Sequence, residues 1–179
     1  MIIPGFIIAI FTFPGVIVHE LAHQCFCRLL KVPVFKVCYF RVGNPSGYVI
    51  HEHTHSPWKS ILIGIGPLLV NTVAGCLVAF PAVVSLFTFN SGDWLDGLLI
   101  WLGFSIAMHS FPSTGDAAMI WKSVMGPGSS LPAKMICVPL VGLIWLGAVG
   151  SVFWLDALYG ACVVGLVPSL VIHALAAVG

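Results

Sequence analysis

Val16-Ile17-Val18-His19-Glu20-Leu21-Ala22-His23-Gln24-Cys25-Phe26 places a polar cluster, His19 to Gln24, inside a segment that is otherwise apolar, apart from Thr12, from residue 2 to about residue 31. A run of that length crosses a hydrocarbon core of ~30 Å as a helix. On such a helix His19 and His23 lie ~40° apart in projection and ~6 Å apart along the axis, so they share one face. Pro4 suits the first turn, while Pro14 and Gly15 predict a kink or loosening just before the cluster. A carboxylate at mid-membrane costs ~2.5 to 3.5 kcal/mol on insertion scales, so Glu20 marks function rather than filling.

The rest of the chain agrees with a membrane setting. Of its 179 residues 59% are hydrophobic and 7% charged, with a mean hydropathy of +1.08, and such a composition cannot build a water-soluble surface. The formal charge is +1 with no basic run, which leaves no electrostatic footprint for nucleic acid. The six cysteines sit mostly in apolar stretches without the paired spacing of a secreted disulfide scaffold, so they read as buried fillers.

Residues 34–50 are rich in Val, Phe and Tyr around the turn signal Gly43-Asn44-Pro45-Ser46-Gly47, which predicts a short β-hairpin beside the membrane. Further apolar helices are expected over residues 58–89, 94–111 with a distorted continuation to about 124, 133–154 and 157–176. The breaks are Asn90-Ser91-Gly92-Asp93, Pro112-Ser113-Thr114-Gly115-Asp116, Gly126-Pro127-Gly128-Ser129-Ser130, and a tight turn at Leu155 and Asp156. The expected fold is an all-α polytopic membrane protein of about five transmembrane helices plus the hairpin. It forms a single domain over residues 1–179 with no soluble module and no helix before the first. Arg28, Lys31, Lys36, Arg41 and Lys59 flank the first connection, and Lys122 and Lys134 the third, so those loops are expected to be cytoplasmic. Five crossings then place the N-terminus outside and the C-terminus inside.

Two imidazoles on one helical face can share a zinc ion, with Glu20 beside them to contact a metal-bound water without being a ligand. A catalytic zinc takes three protein ligands and keeps one position open. Asp116, after the break at Pro112, is the best third candidate, and its alternative is a helix N-cap. His109 either lines the same cavity or is a satisfied polar group between helices. His51, His53 and His55 alternate, so in an extended segment they share a face; a solvated loop is the plainer reading.

Taken in order, His19-Glu20-Leu21-Ala22-His23, then Gly66-Pro67-Leu68-Leu69-Val70-Asn71, then Pro112 and Asp116 resemble the site-two protease family of intramembrane zinc metalloproteases over about residues 14–122. The resemblance implies one Zn²⁺ per chain held by His19, His23 and Asp116, with Glu20 as catalytic base. It also implies a substrate cleft shaped by Asn71 and a turn at Gly66 and Pro67. Two departures mark the chain as a minimal, divergent member: it begins directly with the catalytic helix and carries no PDZ or CBS regulatory module, and its third segment differs from the family's. His109 stands where the family has Asn, and Ser113-Thr114-Gly115-Asp116-Ala117 is one residue shorter than the usual segment. The implied activity is hydrolysis of peptide bonds in transmembrane protein or peptide substrates within or near the bilayer, with the opening on the cytoplasmic side. The alternative is a membrane zinc transporter, or a metal-binding protein without proteolysis.

Overall fold

The computed structural model describes residues 5–126 and 129–176. Ile2 and Pro4 of the expected first helix, and Pro127-Gly128 of the expected loop, lie outside the described residues. The chain is mostly helical, with one two-stranded sheet among the described residues. The expected first helix is in fact two, α1 (Gly5–Phe11) and α2 (Phe13–Leu29), meeting at 96°. Pro14 has no N–H, so the Ile10 carbonyl loses its helical donor and the chain can turn there. The turn is then pinned from outside. Thr12 Oγ1 donates to Ile8 O at 2.8 Å and lies 2.8 Å from His109 Nε2, Trp101 Nε1 donates to Phe11 O, and Ser105 Oγ donates to Thr12 O.

The hairpin forms as expected, from β1 (Val34–Cys38) and β2 (Tyr48–His51). The strands are antiparallel, pairing Lys36 with Ile50 and Cys38 with Tyr48. Next come α3 (Pro57–Thr88), α4 (Trp94–Met108) and α5 (Thr114–Val124). The last two helices are α6 (Leu131–Gly150) and α7 (Leu155–Ala176), joined through a 3-10 turn at Ser151–Phe153. Three segments are long and apolar enough to cross a membrane, Pro57–Thr88, Lys134–Phe153 and Leu155–Ala174, and the bent α1–α2 pair is a fourth if counted as one span.

The 32-residue α3, ~48 Å long at 1.5 Å per residue, is the post against which the others line up. α2 runs antiparallel to it, with Gly15 O bonded to Asn71, His23 to Ile63 O, and Leu30 O to Lys59 Nζ. α4 and α5 form a second antiparallel path. Gly103 packs on Gly75 and Ala79, Ile120 on Gly64, and Ser123 Oγ donates to Thr54 O. A Cβ on Gly103 would sit 2.6 Å from Gly75 O, and one on Gly75 2.7 Å from Gly103 O, so glycine lets the two backbones touch.

The last two helices depart from the expected antiparallel pair. Tyr159 bonds Thr72, four residues on Val163 and Val164 join Ala79 and Cys76 in one cluster, and Gly160 packs on Met108; α7 therefore runs in the direction of α3. α6, packed on Ile61, Ala117, Ile120 and Val124 and reaching Phe111 at Gly147, runs the same way. The two helices follow one another rather than turning back. The 3-10 turn, with Trp154 in the left-handed region at φ 63°, offsets the chain sideways without reversing it.

Candidate metal centre

α2 brings His19 and His23 to one face, and their Nε2 atoms lie 3.1 Å apart. Each ring is anchored through its other nitrogen. His19 Nδ1 donates to His109 O at 2.7 Å, and His23 Nδ1 donates to Ile63 O at 2.9 Å. A carbonyl can only accept, so both Nδ1 atoms carry a proton and both Nε2 atoms face inward. When both rings are neutral, their Nε2 lone pairs repel at that distance unless a proton or a metal ion lies between them. Asp116 Oδ1 is 3.4 Å from His23 Nε2, and the three ligand atoms all lie within 4.8 Å of one another. Tetrahedral zinc with metal–nitrogen bonds of 2.0–2.1 Å separates its ligands by about 3.3 Å, so the residues present fit such an ion.

The two carbonyls that orient these rings are available because of proline. Pro67, inside α3, has no N–H to give to Ile63 O, and that carbonyl takes the His23 proton instead. Pro112 stops α4 at Met108, and the His109 carbonyl is left for His19. Its usual helical donor, Ser113 N, donates to Asp116 Oδ2 at 2.7 Å.

Asp116 sits at the third position of α5, and Ser113, not Asp116, is the N-cap. Ser113 N and Oγ both donate to Asp116 Oδ2 at 2.7 Å, while Ser113 Oγ accepts from Asp116 N. This is a reciprocal capping box. One carboxylate oxygen thus holds the helix start and the other faces His23, so the capping role leaves one oxygen free to serve as a ligand.

Glu20, 8% exposed, lines a cavity of about 800 Å³ together with His19, His23, His109 and Asp116. The hairpin turn forms one wall. A Cβ on Gly47 would meet Glu20 Cγ at 2.6 Å and Oε1 at 2.8 Å. The ring of His109 lines the same cavity, and because the Thr12 hydroxyl proton already goes to Ile8 O, His109 Nε2 is the donor in the Thr12 contact.

No family model, curated protein or solved structure matches this chain. The site's reading therefore rests on its own geometry.

Three residues implied to shape a substrate cleft are elsewhere. Asn71 is fully buried and lies outside the cavity wall. Its Nδ2 shares two N–H bonds among three carbonyls, Gly15 O at 3.2 Å and Ile106 O and His109 O at 3.1 Å. Its Oδ1 has no partner among the described residues, a cost on the order of 1–3 kcal/mol. Gly66 and Pro67 make no turn but continue α3. Gly66 makes room for the Phe26 ring, which a Cβ there would approach to 2.6 Å. Of the alternating histidines only His51 lines the cavity; His53 and His55 meet edge to face with ring centres 5.5 Å apart.

Three participants escaped the sequence reading. Ser113 was legible, since Ser-x-x-Asp before a helix is a capping pattern. Gly47 was read as part of a turn, and its contact with Glu20 had no local signal. Asp156, expected in the tight turn between the last two helices, lines the cavity with Ser151 and Ala148, because α6 ends and α7 begins at the level of His19, His23 and Asp116.

Proposed function

We propose that this chain is an intramembrane zinc endopeptidase of the site-two protease type, with His19, His23 and Asp116 as metal ligands and Glu20 as general base. The observation that carries the reading is the pair of inward-facing Nε2 atoms 3.1 Å apart, each held by a proton donated backwards to a carbonyl, with Glu20 in the same cavity. A bound zinc would supply Lewis acidity toward a peptide carbonyl and lower the pKa of water.

The protein's own groups do the rest. Glu20, one residue from His19 and out of the ligand set, is placed to take a proton from water and return it to the leaving amine. The cavity admits water beside otherwise apolar helices. A helical substrate hides its carbonyls in hydrogen bonds, so it must unwind, and the hairpin beside the cavity offers a strand edge to receive it.

In this reading the protein is polytopic. The hairpin end, with Arg28, Lys31, Lys36, Arg41 and Lys59, faces the cytoplasm, and the cavity opens toward that side. Because α7 runs with α3, the C-terminus faces away from the cytoplasm, opposite to the position that five antiparallel crossings would give it.

Glu20→Gln is the deciding variant. It is expected to keep about one zinc per chain and lose cleavage of membrane-protein substrates, read by comparing membrane proteomes of cells carrying either form for a protein that accumulates uncut. Wild-type cleavage by Glu20→Gln would exclude the mechanism, and zinc uptake with no substrate in either form would favour transport.

A further inference from the structure

We propose that Pro67 and Asn71 of α3 are positioning residues that aim the two metal histidines, an inference that rests on the metal reading above. In an unbroken helix the Ile63 carbonyl would accept from the N–H of residue 67, but Pro67 has none, and the carbonyl accepts His23 Nδ1–H at 2.9 Å. For His19 the corresponding acceptor is the His109 carbonyl at 2.7 Å, exposed where α4 ends. A carbonyl at a broken helix end has no inherent fixed direction, and Asn71 supplies one, donating to it at 3.1 Å.

The same amide group also holds Ile106 O on α4 and Gly15 O on α2. It therefore ties the helix that carries the histidines to the helix end that carries their acceptor. All three acceptors lie around Nδ2, which fixes the amide orientation and leaves Oδ1 without a partner. Each imidazole is then locked with its proton on Nδ1 and its lone pair on Nε2. Gly66, Pro67 and Asn71 thus act together. Gly66 seats α3 on Phe26 of the histidine helix, Pro67 frees one acceptor, and Asn71 directs the other.

The test uses the purified full chain in lipid nanodiscs, with Asn71→Leu, Pro67→Ala and, as control, Thr72→Val. Thr72 lies at the same level and bonds Tyr159 at 2.7 Å, but it touches neither histidine's acceptor. Zinc affinity is measured by chelator competition, and cobalt substitution reports ligand geometry through its visible absorption. Loss of an outer-shell partner typically weakens a metal site about 10- to 100-fold, and that loss is expected for Asn71→Leu and for Pro67→Ala, with an altered cobalt spectrum. Thr72→Val is expected to keep wild-type affinity and spectrum. Unchanged affinity in both α3 variants would overturn the proposal, as would an equal loss in the control. If Asn71→Leu does not fold, Pro67→Ala, which suits a helix, decides alone. A wild-type chain that takes up no zinc would sink the metal reading itself, a result distinct from equal affinities across the set.

Discussion

At the scale of single residues, two positions at the site carry the sharpest consequences. Gly47 has no left-handed backbone angle, so space alone requires a glycine there: any Cβ meets the Glu20 carboxylate. Gly47→Ala is expected to keep zinc, because no ligand is touched. It should lower turnover about 100-fold, as displacements near 1 Å at a reacting group do. Parallel assays of metal content and cleavage check this, and full activity in Gly47→Ala would remove the hairpin turn from the site. Asp116 divides its two oxygens between Ser113 and the metal cluster. Asp116→Asn keeps an acceptor for the cap but loses the carboxylate charge. The expected result is a folded helix whose zinc affinity falls by more than the ~10- to 100-fold of an outer-shell change. Wild-type zinc content in Asp116→Asn would reduce the residue to its capping role.

At the scale of elements, breaks matter more than regular segments. The bend at Thr12 and the end of α4 at Met108 meet through Thr12 and His109, so two proline-induced interruptions in distant parts of the sequence support each other. The hairpin shows the opposite case, a regular element whose turn and second strand both line the cavity. Gly47 touches Glu20 and His51 lines the cavity, while His53 and His55 pair with each other. Among the described residues the one group able to hold a metal is His19, His23 and Asp116. Replacing His51, His53 and His55 together with Ala is therefore expected to leave zinc at about one per chain. Loss of zinc from the triple variant, measured by elemental analysis, would move the metal chemistry to the hairpin.

At the scale of the whole molecule, the direction of the last two helices decides at which end of α3 the end of α7 lies. Thr72 with Tyr159, and Cys76 and Ala79 with Val163 and Val164, advance together along α3 and α7. This puts the end of α7 with the Thr88 end of α3, away from the hairpin. Cys38 in the hairpin and a reporter cysteine joined after residue 179 are expected to react with impermeant thiol reagents from opposite faces of the membrane. Labelling of both from the same face would restore the antiparallel pair.

The sequence by itself determined the apolar helices, the hairpin and the pair of histidines with Glu20, because each is written in local periodicity or in a spacing of four on one helix. It also located the kink near Pro14 and the break at Pro112, since a missing N–H acts on the residue four before it whatever the surroundings. Only the tertiary structure decided what the freed carbonyls do. Ile63 O and His109 O become acceptors for His23 and His19 because α2 lies against α3 and the end of α4, contacts 40 and 90 residues apart in the chain. Asn71 likewise lies against carbonyls of α2 and the end of α4, and Asp156, expected in a tight turn, lies in the cavity wall. Both depend on which helix ends come to rest at the same depth, and packing sets that, because an apolar run has a length but no direction until it meets its neighbours.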